Sequence, residues 1–288
     1  MGLLRTLLFI PGNKAKMLEK AWGLGADAVI LDLEDAVPLA DKGVARHLVA
    51  GTLSKMAAEA SPAIFVRVNS LSSGLLEADL REVVQPGLGG ICFPKAESAA
   101  DIRKLVSLLD GVEQAGGLPQ DSLTLIPLIE SARGVIAAYE IASASSRVVA
   151  IALGAEDLTL DLGVERTAAG VELLHARSVL VMAAVAAGIA PIDAVYPDLS
   201  DEDGLLREAH LGRQLGFQGK LLVHPKQIGP VNGAFRPSQD EVERARRIVQ
   251  AFQEAERSGS GVVLLDGKMV DRPVVLRAKR TLEGMPDN

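Results

Sequence analysis

Eight short apolar runs rich in β-formers alternate with segments carrying apolar residues at three- and four-residue spacings, and each run closes on polar or charged residues. With 288 residues and 48% hydrophobic content, the pattern predicts an α/β chain folded as a (β/α)8 TIM barrel with a C-terminal hairpin-plus-helix extension. The runs are Thr6–Ile10, Ala28–Leu33, Ala63–Val68, Gly90–Phe93, Leu123–Ile129, Val148–Leu153, Ile192–Tyr196 and Lys220–Val223. Helical spacing falls on segments such as Lys14–Gly23, Ser98–Leu109, Val135–Ala144, Ala169–Ala187 and Gly204–Leu215. A doubly wound dinucleotide-binding sheet is the alternative. Its glycine fingerprint is missing, because Gly23–Gly25 lacks a third glycine and precedes its strand.

Barrel chemistry sits where the strands end, so the residues closing each run carry the functional signal. The first run ends in Pro11–Gly12–Asn13–Lys14 and the second in Asp32–Leu33–Glu34–Asp35, an acidic cluster that would repel itself unless a cation or lysine lay nearby. The third ends in Arg67–Val68–Asn69 and the fourth in Pro94–Lys95. The fifth, LTLIPLIESARG, stops at Glu130, and the sixth, VVAIALGAEDL, ends in Gly154, Ala155, Glu156 and Asp157. The seventh and eighth close on Tyr196–Pro197–Asp198 and His224–Pro225–Lys226.

Two strand ends thus offer acidic side chains, and Glu130 and Asp157 can converge on one oxygen-seeking cation such as Mg²⁺. Each rim residue alone also has a structural reading. Glu130 or Asp157 could cap the following helix; Arg67 could pair with a strand neighbour, Lys95 could snorkel, and His224 could be a hydrogen-bonded core residue. Their joint placement at one rim favours a functional site. His47, His175 and His210 lie in helical segments with no two-His metal spacing and no nucleophilic triad.

Beyond the eighth unit, Ser238–Glu256 reads as a helix with Ser238 and Glu241 as a capping box. Val262–Val270 carries Asp266–Gly267 at its centre, a type I′ hairpin signal, and Arg272–Leu282 reads as a final helix with Pro273 in its first turn. The expected division is a catalytic barrel over residues 1–257 and a lid segment over 258–288. A lid so placed must pack on its own rim or on a neighbouring subunit.

The net charge of −7 and aromatic content of 3% argue against nucleic acid and for a small-molecule ligand. No apolar run approaches the roughly 20 residues needed to span a bilayer, and the opening MGLLRTLLFIPG is too short a run for a signal peptide. MGLLRT matches the myristoylation pattern at Gly2 and Thr6, but Arg5–Ile10 already reads as a core strand. The single Cys92, inside an apolar run, reads as a buried residue of a reducing compartment. The expectation is a cytoplasmic protein without membrane contact.

The segments RTLLFIPGN, VILDLEDAV, IFVRVNS, ICFPKAES, LIPLIESARG, ALGAEDL, LLVHPKQI and DGKMVDRPVV, in this order and across essentially the whole chain, resemble the citrate lyase β-subunit-like family of the HpcH/HpaI aldolase superfamily. The resemblance implies a Mg²⁺-dependent barrel, a homotrimer or dimer of trimers, that cleaves or forms carbon–carbon bonds in 3-hydroxyacyl thioesters such as malyl-CoA or citramalyl-CoA. It implies Glu130 and Asp157 as metal ligands and Arg67 as a substrate contact. It also implies Asp271 as an acid/base residue brought over the site by a neighbouring subunit. Backbone amides over Ala155–Leu158, those of Glu156 and Asp157 included, would hold a substrate carboxylate if they open a helix, and Glu34 and Asp35 would hold metal-bound waters from one layer out. Lys14, Lys95 and Lys226 are candidates for the coenzyme A pyrophosphate. Other readings are the citryl-thioester lyase subunit of a citrate lyase complex, an acyl-CoA thioester hydrolase using the same site, and a non-catalytic acyl-CoA-binding subunit.

Overall fold

The computed structural model describes residues 4–56 and 62–283; the Gly2 myristoylation pattern lies outside them. The chain divides into two compact units, Met1–Asn232 and Gly233–Asn288.

In the first unit, eight parallel strands close a barrel in sequence order, with β1 hydrogen-bonded to β8. In chain order these are β1 (Thr6–Pro11), α1 (Ala15–Leu18), β2 (Ala28–Asp32), α2 (Lys42–Met56), β3 (Ala63–Arg67), α3 (Leu76–Val83), β4 (Gly90–Phe93) and α4 (Ala99–Gly116). Then come β5 (Thr124–Ile129), α5 (Ala132–Ile136), α6 (Ala138–Ala142), β6 (Ala150–Leu153), α7 (Ala155–Leu162), α8 (Val171–Ala187), β7 (Ala190–Asp193), α9 (Glu202–Leu215) and β8 (Gly219–Leu222). Helix α10 (Ile228–Phe235) comes next, where the first unit gives way to the second.

Alternate residues on each strand face inward, and Leu7, Ile30, Phe65, Cys92, Leu128, Ala152, Ile192 and Leu221 form one buried cluster inside the barrel. The same period of two carries Ile30 to Asp32, Phe65 to Arg67, Leu128 to Glu130 and Ala152 to Gly154. Polar groups therefore take over from the core at the carboxyl ends. Cys92 is free and buried, and burial pushes its thiol well above its ordinary pKa.

Several elements differ from expectation; α4, for one, runs on to Gly116 and not only to Leu109. The seventh strand is Ala190–Asp193, not Ile192–Tyr196. Its continuation leaves the ladder because side chains take its carbonyls: Ala194 O accepts from Lys220 and Val195 O from Arg166, both at 2.6 Å. The expected Lys14–Gly23 helix is one short turn, α1, followed by a 3-10 turn ending at Gly25, whose φ of +78° stops it. The Val135–Ala144 helix begins earlier, at Ala132, because Ser131 Oγ accepts from Gly134 N, and it breaks at Ala137.

Helix α8 carries apolar residues on both sides, with Val171, Met182 and Val185 exposed opposite buried Leu173, Leu180 and Ala184.

The second unit holds α11 (Gln239–Arg257), β9 (Val263–Leu265), β10 (Lys268–Val270) and α12 (Arg272–Glu283). Ser238 and Glu241 form the expected capping box. Asp266 and Gly267 both adopt positive φ, +51° and +73°, as a type I′ turn requires. Phe252, Val270 and Val275 make a small core with Val263 and Leu265, while the cross-strand pair Leu264–Met269 faces outward, exposed.

Candidate active site

The acidic run after β2 is neutralised by its neighbours. Asp32, fully buried, lies opposite Arg67 in the β2–β3 register and receives both prongs of its guanidinium, Nε to Oδ1 at 2.7 Å and Nη2 to Oδ2 at 2.6 Å. Asp32 also accepts from the backbone N–H groups of Glu34 and Ala36, which folds the acidic loop back over the strand end. Arg67 Nη1 lies 3.1 Å from Glu34 Oε2, and the guanidinium carbon stacks 4.8 Å from the Phe9 ring centroid. Burial would lower the Arg67 pKa, but the charge and hydrogen bonds of Asp32 outweigh it and raise it. Lys95 Nζ closes the cluster at 2.9 Å from Glu34 Oε1 and 3.8 Å from Asp35 Oδ1. Lys42 reaches the same loop, donating to the Leu33 and Glu34 carbonyls at 2.6 and 2.7 Å; burial lowers its pKa.

Glu130 follows β5 with its carboxyl buried. Its Oε2 accepts from Lys95 N at 2.8 Å, a bond that depends on Lys95 holding a left-handed backbone at φ +53°. Burial first, then the Glu34 charge, pushes Glu130 up to about 7, with Asp157 adding to the effect. A Cβ at Gly154 would fall 2.5 Å from Glu130 Oε1, so the glycine opening α7 is what leaves room for this carboxyl. Asp157 sits in the first turn of that helix. Neither acid is an N-cap, since Ser131 caps α5 and α7 has no side-chain cap; Asp157 does stand in the first turn of α7, where a negative charge suits the helix N-terminus.

Asp32, Asp35, Arg67, Glu130 and Asp157 line one cavity of about 410 Å³ at the carboxyl mouth of the barrel, with Phe9, Leu128 and Leu221 as its apolar floor. A second opening of about 370 Å³ shares Glu130 and Asp157 and is edged by Lys95, Ser70 and Ser72. A larger cavity, about 520 Å³, lies between α3 and α4 on the outside of the barrel. It gathers no comparable set of converging acids, so size does not track chemistry here.

Among the described residues, no three His, Cys, Asp or Glu side chains stand ready as a metal cluster. Two carboxylates nonetheless suit Mg²⁺, which is commonly held by one or two carboxylates and completes its shell with water and ligand. Burial, with the charges of Glu34 and Asp157 beside it, raises Glu130, and a cation at this place would relieve that. The donors are all oxygen, as that ion requires.

The remaining sequence candidates are placed variously. Ala155 is buried at the start of α7, and Glu156, largely exposed, pairs with Arg166 at 2.5 Å. Lys14 and Lys226 are exposed, whereas Lys95 is held in the acidic cluster. His224 caps the turn after β8, its Nδ1 accepting from Lys226 N at 3.1 Å. Asp271 belongs to the second unit, where its Oδ1 accepts from Val274 N at 3.3 Å in the first turn of α12. Sequence reasoning singles out Asp32 only as part of a run and misses Lys42, Phe9 and Arg166. Asp32 has a readable signal, an acid two residues beyond the inward-facing Ile30.

Residues 5–225 match the family model described as HpcH/HpaI aldolase/citrate lyase. The citrate lyase subunit beta of Leuconostoc mesenteroides subsp. cremoris is 44% identical over 98% of this chain and 93% of its own length. A (3S)-malyl-CoA thioesterase of Cereibacter sphaeroides is 38% identical over 96% of this chain and 93% of its own. The crystal structure of CitE from Mycobacterium tuberculosis in complex with magnesium, acetoacetate and coenzyme A superposes with a TM-score of 0.80 at 34% identity, covering 98% of both chains. With a closed parallel barrel, an acid-rimmed mouth and relatives matched end to end, the chain belongs to the HpcH/HpaI aldolase/citrate lyase family, as one of its lyases.

Proposed function

We propose that this protein is a Mg²⁺-dependent carbon–carbon lyase acting on a short 3-hydroxyacyl-CoA such as citramalyl-CoA or malyl-CoA. The observation that carries the reading is the convergence of Glu130, Asp157 and the Asp32-clamped Arg67 on one cavity. Glu130 and Asp157 would hold the ion, and bound there it would supply Lewis-acid polarisation of the substrate's carboxylate and hydroxyl.

The chain's own groups do the rest. A base takes the 3-hydroxyl proton, the C2–C3 bond breaks, and the electron pair moves onto the thioester oxygen while C3 becomes the oxo carbon of a 2-oxo acid. Arg67, fixed on Asp32 through two prongs and beside Glu34 through Nη1, sets its positive charge in the cavity wall to meet the developing negative oxygen in a largely buried setting. A proton delivered to C2 then gives the shortened acyl thioester. The backbone amides opening α7 at Ala155, Glu156 and Asp157 bind the acid's carboxylate, and Glu34 and Asp35 would support the ion from one layer out. Lys95 holds Glu34 in place and donates its amide to Glu130, while Lys14 and Lys226 meet the coenzyme's phosphates.

Asp271 serves as the acid/base from a neighbouring copy, with residues 258–288 acting as a lid over that copy's barrel. The outward Leu264–Met269 pair of the hairpin supports this, because an apolar sheet face needs a cover. The apolar outer side of α8 supports a homotrimer or larger assembly.

Relatives named citrate lyase subunit beta at 44% identity favour a second reading, cleavage of a citryl thioester within a lyase complex. The thioesterase relatives favour a third, in which water attack releases coenzyme A. One assay separates them: the purified chain is given a panel of acyl-CoAs with and without Mg²⁺. Glyoxylate or pyruvate together with the shortened acyl-CoA supports the lyase. Free malate or citramalate supports the hydrolase, and turnover only with a carrier-bound thioester supports the complex subunit.

A further inference from the structure

Asp157 stands in the first turn of α7, where Thr159 Oγ1 donates to the Ala155 and Glu156 carbonyls and Ala155 and Leu158 are buried. Helix α7 opens at Gly154 with no side-chain cap, and Glu156, beside Asp157, is 59% exposed. The turn is gripped from outside by Arg166. This guanidinium, 11% exposed, donates from Nη1 to Glu156 Oε1 at 2.5 Å and from Nη2 to Val195 O at 2.6 Å, and it pairs with Glu208 Oε2 at 3.1 Å. Glu208 is anchored in turn by Lys220 at 2.6 Å and Arg177 at 3.1 Å, both of which also bind the buried Asp193 at the end of β7. A continuous ionic chain therefore runs from the β7–β8 wall to the first turn of α7. Val195 and Glu156 line the same cavity as Asp157, and Arg166 does not.

The geometry points to Arg166 as a positioning residue that holds the first turn of α7 against the β7 wall and so sets where Asp157 offers its carboxylate to a divalent cation. The inference rests on the reading of Glu130 and Asp157 as metal-binding. The β6–α7 junction supplies no side-chain cap for this turn, since Gly154 must stay small for Glu130 and a glycine cannot cap a helix with a side chain. Arg166 suits the task because its planar guanidinium holds its donors in fixed directions, toward Glu156, Val195 O and Glu208.

Electrostatics alone predicts the opposite effect of removing it. Deleting a cation near a cation site, and freeing Glu156 and Glu208, should tighten metal binding; only lost geometry weakens it. The test measures binding of Mn²⁺ alone, by electron paramagnetic resonance, and of Mg²⁺ alone, by calorimetry, to the full chain. Arg166→Ala should bind about tenfold to a hundredfold more weakly, in the range seen when supports of metal ligands are removed. Glu156→Ala added to it should cost little more, because both changes cut the same link. Arg166→Lys, which leaves the charge unchanged, should fall between and decides the matter if the alanine variant fails to fold by circular dichroism. Unchanged or tighter binding in folded Arg166→Ala, or wild-type affinity in Arg166→Lys when only that variant folds, overturns the inference. Asp157→Asn is run alongside: if it binds as wild type does, the metal reading fails and this inference goes with it.

Discussion

Asp32 and Arg67 face each other across the β2–β3 register and close a two-pronged ion pair at 2.7 and 2.6 Å, which leaves one guanidinium nitrogen directed at Glu34. The pair converts a flexible cation into a fixed donor. Arg67→Lys keeps the charge and loses the fork, so kcat should fall on the order of a hundredfold with secondary structure intact. Near-normal turnover in that variant would sink the role given to Arg67.

Gly154 tests the spatial logic beneath Glu130. A Cβ there falls 2.5 Å from Glu130 Oε1, so Gly154→Ala should push the carboxyl aside and abolish Mg²⁺ binding in calorimetry while the barrel stays folded. Retained affinity would mean that Glu130 has room the structure does not show.

Glu130→Gln and Asp157→Asn should each abolish activity, because each removes an anionic oxygen from the cavity wall and leaves the inward-facing apolar cluster untouched. Circular dichroism is the check on cause. If helical signal is lost along with activity, the residue supports the fold and the metal assignment has no support from that variant.

The ionic chain behind the site carries a pH signature. Burial would raise the Glu208 carboxyl, but the charges of Lys220, Arg177 and Arg166 bring it down from 4.5 to about 2. A depressed carboxylate pKa contributes stability that is present above pH 4.5 and is lost as pH falls toward 2. Glu208→Gln should therefore cost about 3–5 kcal/mol near neutrality, by leaving buried cations uncompensated. Its deficit in Tm against wild type should narrow as pH falls from about 4.5 to about 3. A gap that stays constant across that range would show that the carboxylate's charge is not what stabilises.

Asp271 gives the test of assembly. If it closes a neighbour's site, Asp271→Asn should bind Mg²⁺ yet fail to turn over. Mixing it with Arg67→Ala should then restore activity, since some sites would join an intact barrel to an intact lid. Hybrids confirmed by mass that stay inactive, beside active wild-type controls, would assign Asp271 to its own barrel or to capping α12 alone.

Features set by local forces are the ones legible in the sequence. Strand ends can be read because apolar runs stop abruptly at Asp32, Arg67, Glu130 and Gly154, and the Ser238–Glu241 capping box and the Asp266–Gly267 turn are written in four or fewer residues. The acidic run after β2 announces its need for cations, but only the fold shows that Arg67, Lys95 and Lys42 supply them. Arg166 is invisible at that level. Its acceptors lie 10, 29 and 42 residues away, and nothing in a loop arginine announces such partners. The seventh strand is misplaced by pattern alone for a related reason, since side chains from distant positions claim the carbonyls that would have extended it.

Lys95 is the residue at which thermal selection and catalytic selection would part company. Its φ of +53° is a conformation that glycine adopts freely and that costs an ordinary residue about 1 kcal/mol. Only that backbone turns its amide toward Glu130 while its ammonium reaches Glu34. A library screened for heat resistance alone should recover glycine or asparagine at this position, and the same library screened for turnover should return lysine. The site thus holds a reserve of stability that directed evolution can release only by dismantling it.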